Sequence, residues 1–429
     1  MNETLTPYQT RWPVQAAAAP AAGLARKILY RLLSKLENGR VCVYDGDVRR
    51  CFGHAANDFP IEAEVRIRDR RAYTGIVFGG SIGAAEAYMR HEWESDDLTA
   101  LVRIVLRNQV VFRELESGPA RLASPFYQLF HFMRRNTVSG SRKNIVAHYD
   151  LGNDFYRLFL DETLTYSAGY FETPDATLAE ASIAKYDRIC RKLHLSEKDH
   201  VLEIGTGWGG FALHAVQHYG CRVTTTTISD AQYALARERI AAAGVADRIT
   251  LLKSDYRDLR GQYDKLVSIE MIEAVGHHYL ETFMAQCARL LRPEGSMALQ
   301  AITIADWAFE THKRSVDFIK RYIFPGSCIP SVSAIGNAAA RRTDLRLFDL
   351  EDMTPHYAET LRRWRANFHR NLAQVQALGF SDAFQRMWTY YLHYCEAGFE
   401  ERYLGSVQMI FTKPLARMPW VGRTAGERS

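Results

Sequence analysis

A doubly wound α/β sheet, mostly parallel, with a smaller α+β unit ahead of it, is the fold class predicted here, and three features carry the prediction. From about residue 145, apolar strand-like runs alternate with helical patterns, as parallel strands joined by helical crossovers require. The first strong run, VLEIGTGWGGF from Val201 to Phe211, passes directly into a glycine loop and then a helix. The last, GSVQMIFTKP, follows a helix and has none after it, so a reversed final strand is expected. A chain of 429 residues is long enough for two domains and a sizeable core.

Residues 1–23 read as a loose, flexible tail. From Leu24 to Leu36, apolar residues fall at helical spacing, with Arg26, Lys27, Arg31 and Lys35 on other faces and Gly39 placed to end the helix. Val41–Val48 and Ile61–Ile67 alternate as strands do, and GGSIGAAEAYMRHEW reads as a turn followed by a helix. These make 24–117 an α+β domain. A basic and aromatic linker spans 118–144, with Phe126, Leu129, Phe130 and Met133 at helical spacing and SGSRKN at its end. The sheet domain occupies 145–414, and 415–429 is a tail. Its seven strands are expected at 200–205, 221–228, 248–253, 263–270, 296–302, 345–351 and 405–413.

Bulk chemistry narrows the function. Hydrophobic content of 47% and charged content of 24% are ordinary for a soluble globular chain. The net charge of +5 permits an acidic partner. Basic residues are scattered and form no nucleic-acid module, so no nucleic-acid partner is expected. Seven scattered cysteines without CxxC pairs suit a reduced cytoplasm, and no metal site is expected. No apolar run approaches the ~20 residues of a spanning helix. The alanine stretch at 16–22 is interrupted by Pro20 and too short for a signal core. Membrane contact would therefore be at the surface.

The glycine loop admits three ligands. A nucleoside triphosphate needs Gly-Lys-Ser/Thr at the loop's end, which is absent. A nicotinamide dinucleotide wants an acid at the end of the next strand. That strand instead ends in Thr224–Thr227, Ile228 and Ser229. The third is a cation. Glu203, two residues before Gly205, would repel a pyrophosphate and attract an ammonium or a sulfonium. S-adenosylmethionine carries both cations and no phosphate, and Asp255 in SDYRDL stands ready for its adenine amine. The competing reading of Glu203 is a pair with a nearby Lys or Arg.

Several stretches resemble one family, the cyclopropane-fatty-acyl-phospholipid synthases and their mycolic-acid relatives. They are NIVAHYDLGNDFYRLFL, TYSAGYF, LEIGTGWGGFALHA, TTISDAQ, SDYRDL, EMIEAVG, RYIFPGSCIPS and TYYLHYCEAGF, with GGSIGAAEAYMRHEW nearer the N-terminus. The resemblance implies a class I methyltransferase sheet with a helical lipid-facing insertion. It implies S-adenosylmethionine bound by Tyr166 and Ser167, by backbone at Gly205, Gly207 and Gly209, by Thr227, Ile228 and Gln232, and by Asp255 and Tyr256. The implied reaction is methylation of an acyl double bond, followed by loss of a proton and ring closure. In the family the base is a bound bicarbonate.

Glu273, Tyr357 and Ile302 match that bicarbonate pocket. Gln300 stands where the family has histidine; it can hydrogen-bond but carries no charge. Ala168 replaces a cysteine yet keeps the backbone N–H, and Ala274 replaces a histidine. Cys395 matches a cysteine that the resemblance marks as a catalytic candidate, although buried free cysteines are usually packing residues. Glu270 reads as a structural partner at a strand end. Alternatives remain: a methylene- or methyl-branched product, a small-molecule N-methyltransferase, or a non-catalytic lipid-binding or partner subunit. The resemblance implies an unsaturated phospholipid as substrate, expected to be met at the inner face of the membrane by the basic 24–36 helix or the 126–135 segment, with anionic lipid assisting. For both 24–36 and 126–135 the competing reading is burial of the apolar face inside the protein. A homodimer is permitted.

Overall fold

Residues 19–112 and 151–418 are described by the structure, a computed structural model. Most of both tails, the 118–144 linker and the 126–135 segment lie outside the described residues. The chain forms two compact units. The first draws on the described part of Met1–Arg134, on Arg314–Pro325 and on Leu361–Tyr403. The second draws on the described part of Arg135–Lys313, on Gly326–Thr360 and on Leu404–Ser429.

In the first unit, β1 (Gly39–Asp45), β2 (Val48–His54), β3 (Glu62–Ile67) and β4 (Trp93–Ser95) form one sheet in the order β2-β1-β3-β4. A two-residue turn joins β1 to β2, and Gly46 supplies its left-handed backbone (φ +61°). That hairpin sets Cys42 opposite Cys51, and the two form a disulfide. The expectation of reduced cysteines is corrected at this pair, because strand pairing brings together residues that sequence spacing left unconnected. The helix Ala19–Leu33 buries Ala25, Leu29, Leu32 and Leu33, and leaves Lys27 and Arg31 exposed. Its apolar face therefore packs inside the unit, which is the second of the two readings of 24–36. Arg26 and Arg70 grip the buried Asp45 carboxylate at 3.2 and 3.0 Å.

The helix Arg71–Met89 is broken at Gly80 (φ +59°, ψ −144°), so the expected turn lies between two helical halves. They cross closely enough that a Cβ on Gly83 would stand 2.0 Å from the Gly75 carbonyl oxygen. Asp97 caps the helix Leu98–Arg107 by accepting from the Ala100 N–H at 2.9 Å. The long helix Asp382–Glu400 packs beside these, with Tyr390 against Tyr88 and His393 bonded to Thr99 at 2.7 Å.

In the second unit, β5 (His200–Ile204), β6 (Arg222–Thr227), β7 (Ile249–Lys253), β8 (Tyr263–Ile269), β9 (Leu291–Ile304), β10 (Arg346–Asp352) and β11 (Leu404–Thr412) make one sheet. Its order is β10-β11-β9-β8-β5-β6-β7. The pairs from β7 to β9 are parallel, and β11 runs antiparallel to both β9 and β10. All seven expected strands are present, with the last one reversed. Adjacent residues face opposite cores: Val201, Val223, Val267 and Ala298 join one cluster, and Leu202, Leu266, Met297 and Leu299 the other. Burial on both faces is what the unbroken apolar runs encode. Strand order reverses between β5 and β8, which places the C-terminal end of β5 at the crevice where such sheets bind ligands.

Gly83→Ala should cost about 1–3 kcal/mol or more by forcing apart the crossed halves of Arg71–Met89, read as a lowered thermal midpoint. Gly79→Ala, where an added Cβ meets nothing within 4 Å, should stay within about 0.5 kcal/mol of the parent. Equal stability of the two variants would show that the halves are not in backbone contact.

Candidate active site

The C-terminal end of β5 turns into the loop Gly205–Gly209, and the helix Gly210–Tyr219 follows. Gly205, Gly207 and Gly209 have φ of +104°, +54° and +88°, a region that side chains with a Cβ rarely enter. The N–H groups of Gly205 and Thr206 donate to the Thr226 carbonyl at 3.1 and 2.9 Å, which pins the loop to the end of β6. A Cβ on Gly207 would meet nothing within 4 Å, so open space lies beside the loop. Glu203 is buried, and Thr225 Oγ1 donates to its Oε2 at 2.5 Å. Burial pushes the Glu203 carboxyl up to about 8, against the pull of Thr225 and Lys185.

The expected adenosine contacts flank this loop. Thr227 Oγ1 donates to Gln232 Oε1 at 2.8 Å, where Ser229 caps the helix Asp230–Ala242; Ile228 between them is half-buried. Burial alone would raise the Asp255 carboxyl, but the Arg257 guanidinium and backbone N–H bound to it hold it low. Tyr256 is buried edge-on against Phe283, and burial pushes its phenol up to about 12. Tyr166 packs edge-on against Tyr156. Ser167 Oγ accepts from Lys185 Nζ at 2.6 Å.

A second cluster adjoins the loop, since a Cβ on Gly205 would lie 3.4 Å from the side chain of Met271. The residue before it, Glu270, closes β8 with a left-handed backbone (φ +49°). Its Oε1 accepts from the Ala168 N–H at 3.0 Å and from Gln300 Nε2 at 2.8 Å; its Oε2 accepts from Tyr357 OH at 2.8 Å. Thus Ala168, Gln300 and Tyr357, expected around bicarbonate, hold the Glu270 side chain. Glu273 Oε1 accepts from the Ile302 N–H at 2.5 Å, and its buried Oε2 has no partner among the described residues. Burial and the neighbouring Glu270 charge push Glu273 up to about 8. Burial also raises Glu270, opposed by Lys185 and by its three hydrogen-bond donors.

Lys185 has no motif around it that would single it out from sequence. It lies within the helix Leu178–Lys192, fully buried, and its charge acts on Glu270, Asp161 and Glu203. Burial drives it down to about 8. Cys395 lies in the first unit, on the helix Asp382–Glu400, and burial pushes its thiol up, away from the reactive thiolate. The geometry therefore unites the glycine loop, Glu203 and the Glu270–Glu273 cluster in one unit, and Cys395 belongs to the other.

Residues 137–409 match the family described as mycolic acid cyclopropane synthetase. A tuberculostearic acid methyltransferase of Mycobacterium tuberculosis is 37% identical over 412 residues, covering 93% of this chain and 94% of that protein. The cyclopropane-fatty-acyl-phospholipid synthase of Escherichia coli K12 is 34% identical over 357 residues, 82% of this chain and 88% of that one. The crystal structure of a mycolic acid cyclopropane synthase complexed with SAH and CTAB superposes with a TM-score of 0.60 at 32% identity, covering 63% of this chain and 98% of that one. Fold and similarity agree, and the chain belongs to the mycolic acid cyclopropane synthetase family of S-adenosylmethionine-dependent methyltransferases.

Proposed function

We propose that this enzyme methylates the double bond of an unsaturated acyl chain in a phospholipid and closes a cyclopropane ring. The observation that carries the reading is a buried, under-neutralised acid, Glu203, beside a glycine loop with open space at Gly207, next to a second buried acid cluster. These residues fit S-adenosylmethionine: a carboxylate raised by burial gains most from a positively charged ligand. When bound, that cofactor supplies an electrophilic methyl on a cationic sulfur. Gly205, Gly207 and Gly209 let the backbone approach it, and Glu203 attracts its charge. Tyr166 and Ser167 close over it, while Thr227, Ile228, Gln232, Asp255 and Tyr256 take the ribose and adenine. Asp255 retains acceptor capacity beyond the bonds that Arg257 takes.

Methylation of the alkene leaves a positive carbon on the acyl chain. Such a centre survives only where water is excluded and fixed negative charge stands near. The cluster of Glu273, Tyr357, Gln300 and Ile302 supports the proton transfer that follows. Cys395 takes no step, because its thiol stays protonated. The lipid reaches the enzyme from the cytoplasmic membrane surface; among the described residues no helix is long and apolar enough to cross a membrane. A methylene- or methyl-branched product is the second reading, favoured by near-full-length similarity to the tuberculostearic acid methyltransferase.

Two outcomes test this. In calorimetry at neutral pH, S-adenosylmethionine should bind and NAD should not. Binding should release about one proton as Glu203 ionises. Glu203→Gln should bind about tenfold more weakly or worse and release none. Binding of NAD alone overturns the assignment. Separately, purified protein given labelled S-adenosylmethionine and unsaturated phospholipid vesicles should move the label into acyl chains. A ring resists mild hydrogenation, whereas a methylene branch takes up hydrogen. Unlabelled lipid would reject the substrate class.

A further inference from the structure

Three donors from distant parts of the chain, the Ala168 N–H, Gln300 Nε2 and Tyr357 OH, converge on one carboxylate. Gln300 cannot easily turn away, because its Oε1 accepts from Gln408 Nε2 at 3.1 Å. Glu270 adopts a left-handed backbone that costs a non-glycine residue energy, and its N–H donates to the Gln300 carbonyl at 2.8 Å. Strain of this kind persists where the surroundings fix it, often at functional sites. Ala168, Glu273, Gln300 and Tyr357 are all buried, yet Glu270 keeps part of its surface accessible.

Bicarbonate does not fit this cluster. The donors that would hold it are satisfied by Glu270, and a further anion would crowd a site where Lys185 already faces Glu270, Asp161 and Glu203. Resting on the methyl-transfer reading above, we propose that Glu270 is the built-in base of the reaction, its carboxylate standing where the family resemblance places a free bicarbonate. The alkene electron pair forms a bond to the methyl carbon as the methyl–sulfur bond breaks, its pair remaining on sulfur. A Glu270 oxygen takes a proton from the added methyl, and the C–H pair closes the ring onto the cationic carbon. Glu270 is then a neutral acid, and its proton passes to water when product leaves. Glu273, with a neutral carboxyl at pH 7, is a positioning residue that holds the Ile302 backbone beside the base.

The test compares wild type, Glu270→Gln and Glu270→Ala on vesicles of unsaturated phospholipid, in buffer stripped of carbon dioxide and again with millimolar bicarbonate. Wild-type turnover should be the same in both. Glu270→Gln should lose about 10²–10⁴-fold in rate while its affinity for S-adenosylmethionine, which reports folding, is unchanged. Glu270→Ala should regain part of its rate with bicarbonate. Magnetic resonance of isotope-labelled bicarbonate should show exchange with Glu270→Ala and none with wild type, a readout that needs no turnover. Bicarbonate dependence of the wild type, bicarbonate binding to it, or full activity of Glu270→Gln would overturn the proposal. Wild type that binds cofactor yet modifies no lipid would instead refute the substrate reading, and the resonance result would still decide who occupies the site.

Discussion

The site depends on a buried charge imbalance. Glu203, Glu270 and Glu273 lie deep in the second unit, and Lys185 is the fully buried cation whose field reaches both Glu203 and Glu270. Removing a carboxylate from water is expensive unless it is paired. The protein resolves this in two different ways. Glu270 is surrounded by donors that, with Lys185, oppose the upward push of burial. Glu203 and Glu273 are left short of partners and hold their protons near neutrality. Two acids pushed apart in this manner take different chemical roles.

The parallel sheet delivers these groups to one place. β5, β8 and β9 are neighbours that run the same way. Their C-terminal halves therefore carry Glu203, Glu270 and Gln300 towards the same end of the sheet. The reversed β11 adds Gln408 opposite Gln300, which orients the amide. Tyr357 arrives from the helix that follows β10, and Ala168 from the segment ahead of β5. The glycine loop completes the crevice by bringing backbone where any side chain would fill the space.

Much of this was legible in the sequence. Strand-length apolar runs between helical patterns report burial on both faces of a sheet, and a run with no following helix reports a reversed strand. Glu203 was legible because its position relative to Gly205 is local. Glu270 was not: its partners lie 102, 30 and 87 residues away, and its left-handed backbone has no signature in a glutamate. Read locally, it was an acid at a strand end. Lys185 looked like any lysine on an amphipathic helix, and only packing shows that its face is the buried one. The Cys42–Cys51 pair is likewise a product of hairpin register. The 24–36 pattern was compatible with a membrane or a core, since both bury the same stripe, and only the packed unit chooses.

Burial keeps the Glu203 carboxyl protonated at neutral pH until a cation arrives beside it. Difference infrared spectroscopy on adding S-adenosylmethionine at neutral pH tests it most directly. A protonated-carboxyl band should disappear as a carboxylate band grows, and Glu203→Gln should remove the change. A spectrum with no protonated carboxyl before the cofactor is added would contradict it.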